Sequence, residues 1–195
     1  MPLPQRCTII SLGALTTGKS NIAAGGAGVN NVDQLIRSLI DSNRQATDKE
    51  QQQIIAHVAQ VPLSSRPVKI NRWLRQELEA RGVQVPTEKR PSVEIHLLKR
   101  IHFDGQWPPG TTVAQFTADL HQTVQHPDVQ IWTYRWLGES FAGFLAPSHI
   151  TNVPNPEAFI FVAYSADHGV IKTSFQASSP DAIFTDAFEN LVRHR

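Results

Sequence analysis

From Asn31 onward the apolar residues fall at helical spacing. Val32, Leu35, Ile36, Leu39 and Ile40 recur at i, i+3, i+4, i+7 and i+8, which places them on one buried face of a helix. Thr47-Asp-Lys-Glu50 reads as a capping box opening a second helix through Ile54, Ile55 and Val58, closed before Pro62. A third, short helix begins near Asn71, carries Trp73, Leu74 and Leu78, and ends at Gly82. Ser92 is the expected N-cap of a fourth, running to about Phe103 with Val93, Leu97 and Ile101 as its apolar stripe. Thr112-Val-Ala-Gln115 is a second capping box, and Val113, Phe116, Leu120 and Val124 mark the buried side of the helix that follows.

The spacing then changes from about 3.6 to 2. Residues 129–136, 141–145, 159–164 and 170–176 alternate or are β-rich, and Ser165-Ala-Asp-His-Gly169 links the last two as a hairpin. Strict alternation puts Val170, Lys172, Ser174 and Gln176 on one face of the last strand and Ile171, Thr173 and Phe175 on the other. It also aligns Trp132, Tyr134 and Trp136 on one face, either a helix-packing surface or a row able to stack bases or bind a partner. After Ser179-Pro180, Ile183, Phe184, Ala187, Phe188 and Leu191 return to helical spacing, so a C-terminal helix is expected.

These elements predict an α+β chain: a flexible Gly-rich leader over residues 1–30, a helical region over 31–90, and a domain over 91–195 built of two helices, a four-stranded antiparallel sheet and a C-terminal helix. Composition constrains where such a chain works. The single Cys7 excludes an internal disulfide, and no apolar run reaches the roughly 20 residues of a membrane helix. The expected setting is cytoplasmic, with no membrane partner. Net charge is only +1, but it divides unevenly. Residues 1–90 hold 12 Lys/Arg against 7 Asp/Glu (+5), and residues 91–195 hold 6 against 10 (−4). A nucleic-acid function in the second part therefore needs a local basic patch.

Two patterns suggest ligands. Gly13-Ala-Leu-Thr-Thr-Gly18-Lys19-Ser20 matches the P-loop spacing, but Gly25, Gly26 and Gly28 oppose the helix that must follow it, and no apolar strand ends in a metal-binding Asp. A nucleotide binder is thus a distant third reading. His121 and His126 stand five apart rather than at the i, i+4 spacing of helical ligands, so neither a metal nor any other cofactor is expected.

The candidate chemistry lies where the fourth helix meets the last strand. Cleavage of RNA without metal needs a base for the 2′-hydroxyl, an acid for the leaving oxygen and cations for the phosphate. His96 is a base or acid, Lys99 and Arg100 share its helix surface, and Lys172, Thr173, Ser174 and Gln176 are hydrogen-bonding groups on the strand. The plainer alternative is a solvated helix face. The segments His96-Leu-Leu-Lys-Arg100, His126-Pro-Asp-Val-Gln-Ile-Trp-Thr-Tyr134 and Gly169-Val-Ile-Lys-Thr173 occur in an order of elements that resembles the small metal-independent RNase fold of barnase, EndoU, colicin-type tRNases and RelE toxins. The resemblance implies an endoribonuclease or toxin-like effector acting on RNA, with His96, Lys99, Arg100 and Thr173 catalytic and Lys172, Ser174, Gln176 and Tyr134 binding substrate. That group also contains proteins that bind without cutting. The second reading is a non-catalytic interaction module that docks a protein through its N-terminal helices or its sheet.

Overall fold

The computed structural model describes residues 29–195. The P-loop pattern at 13–20 and nearly all of the expected leader lie outside the described residues. Among the described residues there are five α-helices: α1 (Val29–Ser42), α2 (Asp48–Val58), α3 (Arg72–Glu79), α4 (Ser92–His102) and α5 (Val113–Gln125). Both capping boxes form, with Thr47 accepting from the Glu50 N–H and Thr112 from the Gln115 N–H, each closing donors that a helix start otherwise leaves open. Asn71 caps α3, and Gly82 follows it at φ +74°, a conformation that costs glycine nothing. Ser92 is the first residue of α4 rather than its cap. Its hydroxyl donates instead to the Ser64 carbonyl at 2.5 Å.

The strands are β1 (Pro67–Val68), β2 (Arg90–Pro91), β3 (Gln130–Trp136), β4 (Glu139–Pro147), β5 (Phe159–Ser165), β6 (Val170–Ala177) and β7 (Glu189–Arg193). β1 and β2 pair as a two-stranded ribbon, which the helical region expected over 31–90 does not include. The main sheet is antiparallel with order β6-β5-β4-β3-β7. It therefore has five strands rather than the expected four, and no C-terminal helix follows it. Only a 3-10 turn forms at Pro180–Ala182, capped by Ser179. The helical spacing of Ile183, Phe184 and Phe188 arises because this irregular segment lies across the sheet. It sets Phe184 at 4.5 Å from Trp132 and Phe188 at 4.9 Å from Tyr134 between ring centroids. The chain then continues as β7 along the free edge of β3, where main-chain pairing outweighs helix propensity.

Both faces of the sheet are thus covered. On one, Ile131, Phe144, Ile160, Val162 and Tyr164 pack against α1, α2, α4 and α5 in a single cluster. Because α1 and α2 share that cluster with α4 and α5, a common core crosses the boundary expected at residue 91. On the other, Tyr134, Phe141, Leu145, Phe161 and Phe175 meet Ile183, Phe184 and Phe188. A third, smaller cluster joins α3 to α4 through Leu74, Leu78, Ile70 and Ile95. Each fully buried Leu, Ile or Phe contributes about 1.5–3 kcal/mol relative to exposure. No described helix is long and apolar enough to cross a membrane.

The C-terminus is tied down by His194. Its Nδ1 accepts the Ala46 N–H at 2.9 Å, which leaves the proton on Nε2 to be donated to Thr133 Oγ1 at 2.8 Å. Burial, reinforced by the nearby Arg44, lowers its pKa to about 4. The unfolded chain, near 6.5, therefore takes up a proton before the fold does. Stability is full above about pH 6.5 and falls as pH drops towards 4, at about 1.4 kcal/mol per pH unit for each proton taken up. Urea titrations between pH 4.5 and 6.5 are expected to show this slope, with contributions from His194 and from the similarly shifted His96. In His194→Gln the slope falls to about half. A second expectation concerns Gly143, where an added Cβ would lie 2.9 Å from the Phe161 ring and 3.0 Å from that of Tyr134. Gly143→Ala is expected to lower the urea-derived stability by about 1–3 kcal/mol through overpacking.

Candidate functional site

The junction of α4 and β6 is built around Arg100, which is 8% exposed. Its Nε donates to the Ser174 carbonyl at 2.6 Å, and its guanidinium lies 5.4 Å from the centre of the Phe175 ring. A strap formed by Pro62, Leu63 and Ser64 runs beside β6. The Ile171 N–H donates to Pro62 O at 3.2 Å, and the Ser64 N–H donates to Ile171 O at 2.9 Å. Between strap, helix and strand is a cleft lined by Ser64, Val93, His96, Phe116, Lys172 and Ser174, among others. The space is about 10 Å³, roughly the room of one water.

His96 lines this cleft beside Lys172 and Ser174 of β6. It is partly buried and has no hydrogen-bond partner among the described residues. Desolvation first, then the positive charges of Arg100 and Lys99, lowers its pKa to about 4. The imidazole is therefore neutral at pH 7, with no imidazolium proton to supply, and a pKa this far below pH 7 also makes it a weak base. Ser174 shares the cleft, and its Oγ is buried without a partner.

The remaining candidates are otherwise engaged. Lys99 Nζ lies 3.1 and 3.0 Å from the Asp104 oxygens, and Arg100 Nη1 binds the same carboxylate. Lys172 borders the cleft with its ammonium on Glu139, at 3.0 and 2.7 Å. Each cation nominated for a phosphate is thus paired within this chain, with Lys99 and Arg100 sharing the single carboxylate of Asp104. Thr173 borders the cleft with His96, and a bulge precedes it in the strand. β5 pairs Tyr164 with Ile171 but Ala163 with Thr173, leaving Lys172 as the extra residue. The register consequently puts Thr173 with Ala163 and Phe175 on the second face, while Ser174 and Gln176 face the helices. That division agrees with strict alternation, which fails only before the bulge, where Ile171 joins the face of Ser174 and Gln176. Gln176 is locked into a clasp with Gln106: Gln106 Nε2 donates to Gln176 O at 2.8 Å, and the Gln176 N–H donates to Gln106 Oε1 at 3.1 Å. Tyr134 is buried in the second face, stacked at 5.4 Å on Phe141, and its hydroxyl pKa is raised by burial. It is core, remote from His96. Trp132 and Trp136 are half-buried under Phe184 and Phe188, so the aromatic row is a packing surface.

Several polar residues here were not foreseen. Asp104 is legible in retrospect, four residues beyond Arg100 at helical pairing distance. Ser64 and Glu139 carry no local signal, since Glu139 meets Lys172 across 33 residues of chain. Elsewhere, Tyr164 donates to Asp33 Oδ1 at 2.6 Å and accepts from His57 Nε2 at 3.0 Å, tying α1, α2 and β5. Among the described residues no group of three His, Cys, Asp or Glu is placed to hold a metal ion.

Asp104→Asn leaves two part-buried cations without their carboxylate. It is expected to lower stability by about 3 kcal/mol in urea titration. No family model matches the chain, and no curated protein and no solved structure does.

Proposed function

We propose that this chain is a non-catalytic interaction module. The observation that carries the reading is the internal engagement of the cleft's cations: Lys99 and Arg100 share Asp104, Lys172 pairs with Glu139, and the space beside His96 has room for about one water. A ribonuclease site needs cations free for a phosphate and a groove wide enough for a nucleotide. Both sheet faces and the inner faces of α1 and α2 are covered, so docking falls to the exposed helical surfaces of residues 31–90.

One arrangement favours the second reading, a metal-independent endoribonuclease. A neutral His96 and the unpartnered Ser174 hydroxyl face one cleft under a strap held by few main-chain bonds. Displacing that strap would open the cleft. Induced expression of wild type beside His96→Ala separates the two readings. The module predicts intact cellular RNA and unchanged growth in both cultures. RNA cut by wild type and spared by His96→Ala would establish the nuclease.

A further inference from the structure

The charge balance of the chain has a local origin. Residues 62–91 hold seven Lys/Arg against three Glu, a net +4. In this stretch Arg75, Arg81 and Arg90 pair with Glu79, Glu77 and Glu88. Arg66, Lys69, Arg72 and Lys89 are exposed and have no ion-pair partner among the described residues. The other cations without one, Lys49, Arg193 and Arg195, lie elsewhere.

The fold brings Lys69 beside Lys89, and Arg66 and Arg72 lie three residues to either side of Lys69 along the chain. β1 and β2 pair Pro67 with Pro91 and Val68 with Arg90. Carried one residue further, that register sets Lys69 opposite Lys89. Val68 and Ile70 turn inward to the α3–α4 cluster, so alternation turns Lys69 outward. Arg72 opens α3 two residues beyond Ile70, and Trp73 follows it, 42% exposed. Trp73 meets Phe103 edge-on at 5.0 Å, and the Arg81 guanidinium lies 4.8 Å from the centre of the same ring. An exposed aromatic fixed by its neighbours and flanked by unpaired cations combines a stacking face with phosphate contacts.

We propose that α3 and the β1–β2 ribbon form a docking surface for single-stranded nucleic acid. Trp73 stacks on a base, and Arg66, Lys69, Arg72 and Lys89 contact successive phosphates. This rests on the binding-module reading and names the partner. Charge alone would equally suit an acidic protein segment. The exposed Trp73 favours unpaired bases, whose faces are free to stack. A duplex is disfavoured because its bases are stacked already and offer Trp73 no free face.

Fluorescence anisotropy of a short labelled oligouridylate with the full chain tests this. Binding is expected to weaken linearly on a log–log salt plot, with the slope shrinking by about 0.7 for each phosphate contact removed in Lys69→Glu and Lys89→Glu. Trp73→Ala is expected to weaken binding about tenfold with little change in slope. Lys49→Glu, a charge reversal outside the surface, serves as control and leaves affinity unchanged. All four positions are exposed, and circular dichroism confirms that each variant folds. No binding, equal binding of a polyglutamate peptide, or equal binding of a duplex overturns the proposal. The recovered oligonucleotide is run on a gel. Bound but cut RNA refutes the non-catalytic reading and leaves the surface standing. Intact, unbound RNA refutes the surface and leaves a module with some other partner.

Discussion

A five-stranded antiparallel sheet built from Phe, Tyr, Ile, Val and Trp has two apolar faces and two open edges. Covering them is the constraint that arranges the rest of this chain. Four helices take one face, where Ile36, Leu39, Ile54, Val58, Phe116 and Leu120 meet Phe144 and Val162. The other face has no helix and is closed by an irregular segment that lays Ile183, Phe184 and Phe188 over Tyr134 and Phe161. β7 occupies the edge of β3, and the strap at Pro62–Ser64 bonds to the edge of β6 at Ile171. Unpaired main-chain groups at a sheet edge invite association with another chain, so strap and C-terminus do similar work at opposite ends. His194 secures the second of these closures to the loop between α1 and α2.

The same constraint explains why the α4–β6 junction is polar yet closed. Arg100 is carried inward by the helix that covers β6, and a buried guanidinium without a counter-charge is strongly destabilising. Asp104 supplies the charge, Ser174 O a further acceptor and Phe175 a ring face. Those interactions hold helix to strand, and they also remove Arg100 and Lys99 from service to a ligand. His96 is left beside two cations in a desolvated cleft, which accounts for the direction of its shift without any catalytic purpose. Perturbed titration marks functional sites and structural ion-pair networks alike, and here the network is visible.

Where local chemistry decides a structure, the sequence was readable. Thr47 and Thr112 reach only three residues to close their capping boxes, and the turn after Ser165 needs only Gly169 at φ +65°. What was not legible depended on partners far along the chain. Ile183, Phe184 and Phe188 carry helical spacing, yet the uncovered sheet face and the open β3 edge determine their conformation. The β1–β2 ribbon is two residues on each side and separated by α3, too short for any periodicity to show. The bulge at Lys172 is equally silent, because Val-Ile-Lys-Thr-Ser-Phe-Gln alternates acceptably in either register. That one extra residue turns Ile171 to the helix-covered face that Ser174 also occupies, where strict alternation sets the two on opposite faces.

Charge follows the same division of labour. Packing fixes the polar residues of the sheet half: Lys172 with Glu139, Arg100 and Lys99 with Asp104, Gln176 with Gln106. Their partners lie within the same chain, and little field remains for anything outside it. In the stretch between α2 and α4, the small core of Leu74, Leu78 and Ile95 needs only the inner faces of α3 and the ribbon. Nothing in the packing requires Arg66, Lys69, Arg72 or Lys89 to be cationic, since neutral polar side chains would cover the same surface. Nor does it require Trp73 to stand so far out of it. Four like charges gathered on a short unit repel one another and contribute nothing to the core beneath. A cost of that kind without a structural return is what a surface shaped for an anionic partner would show.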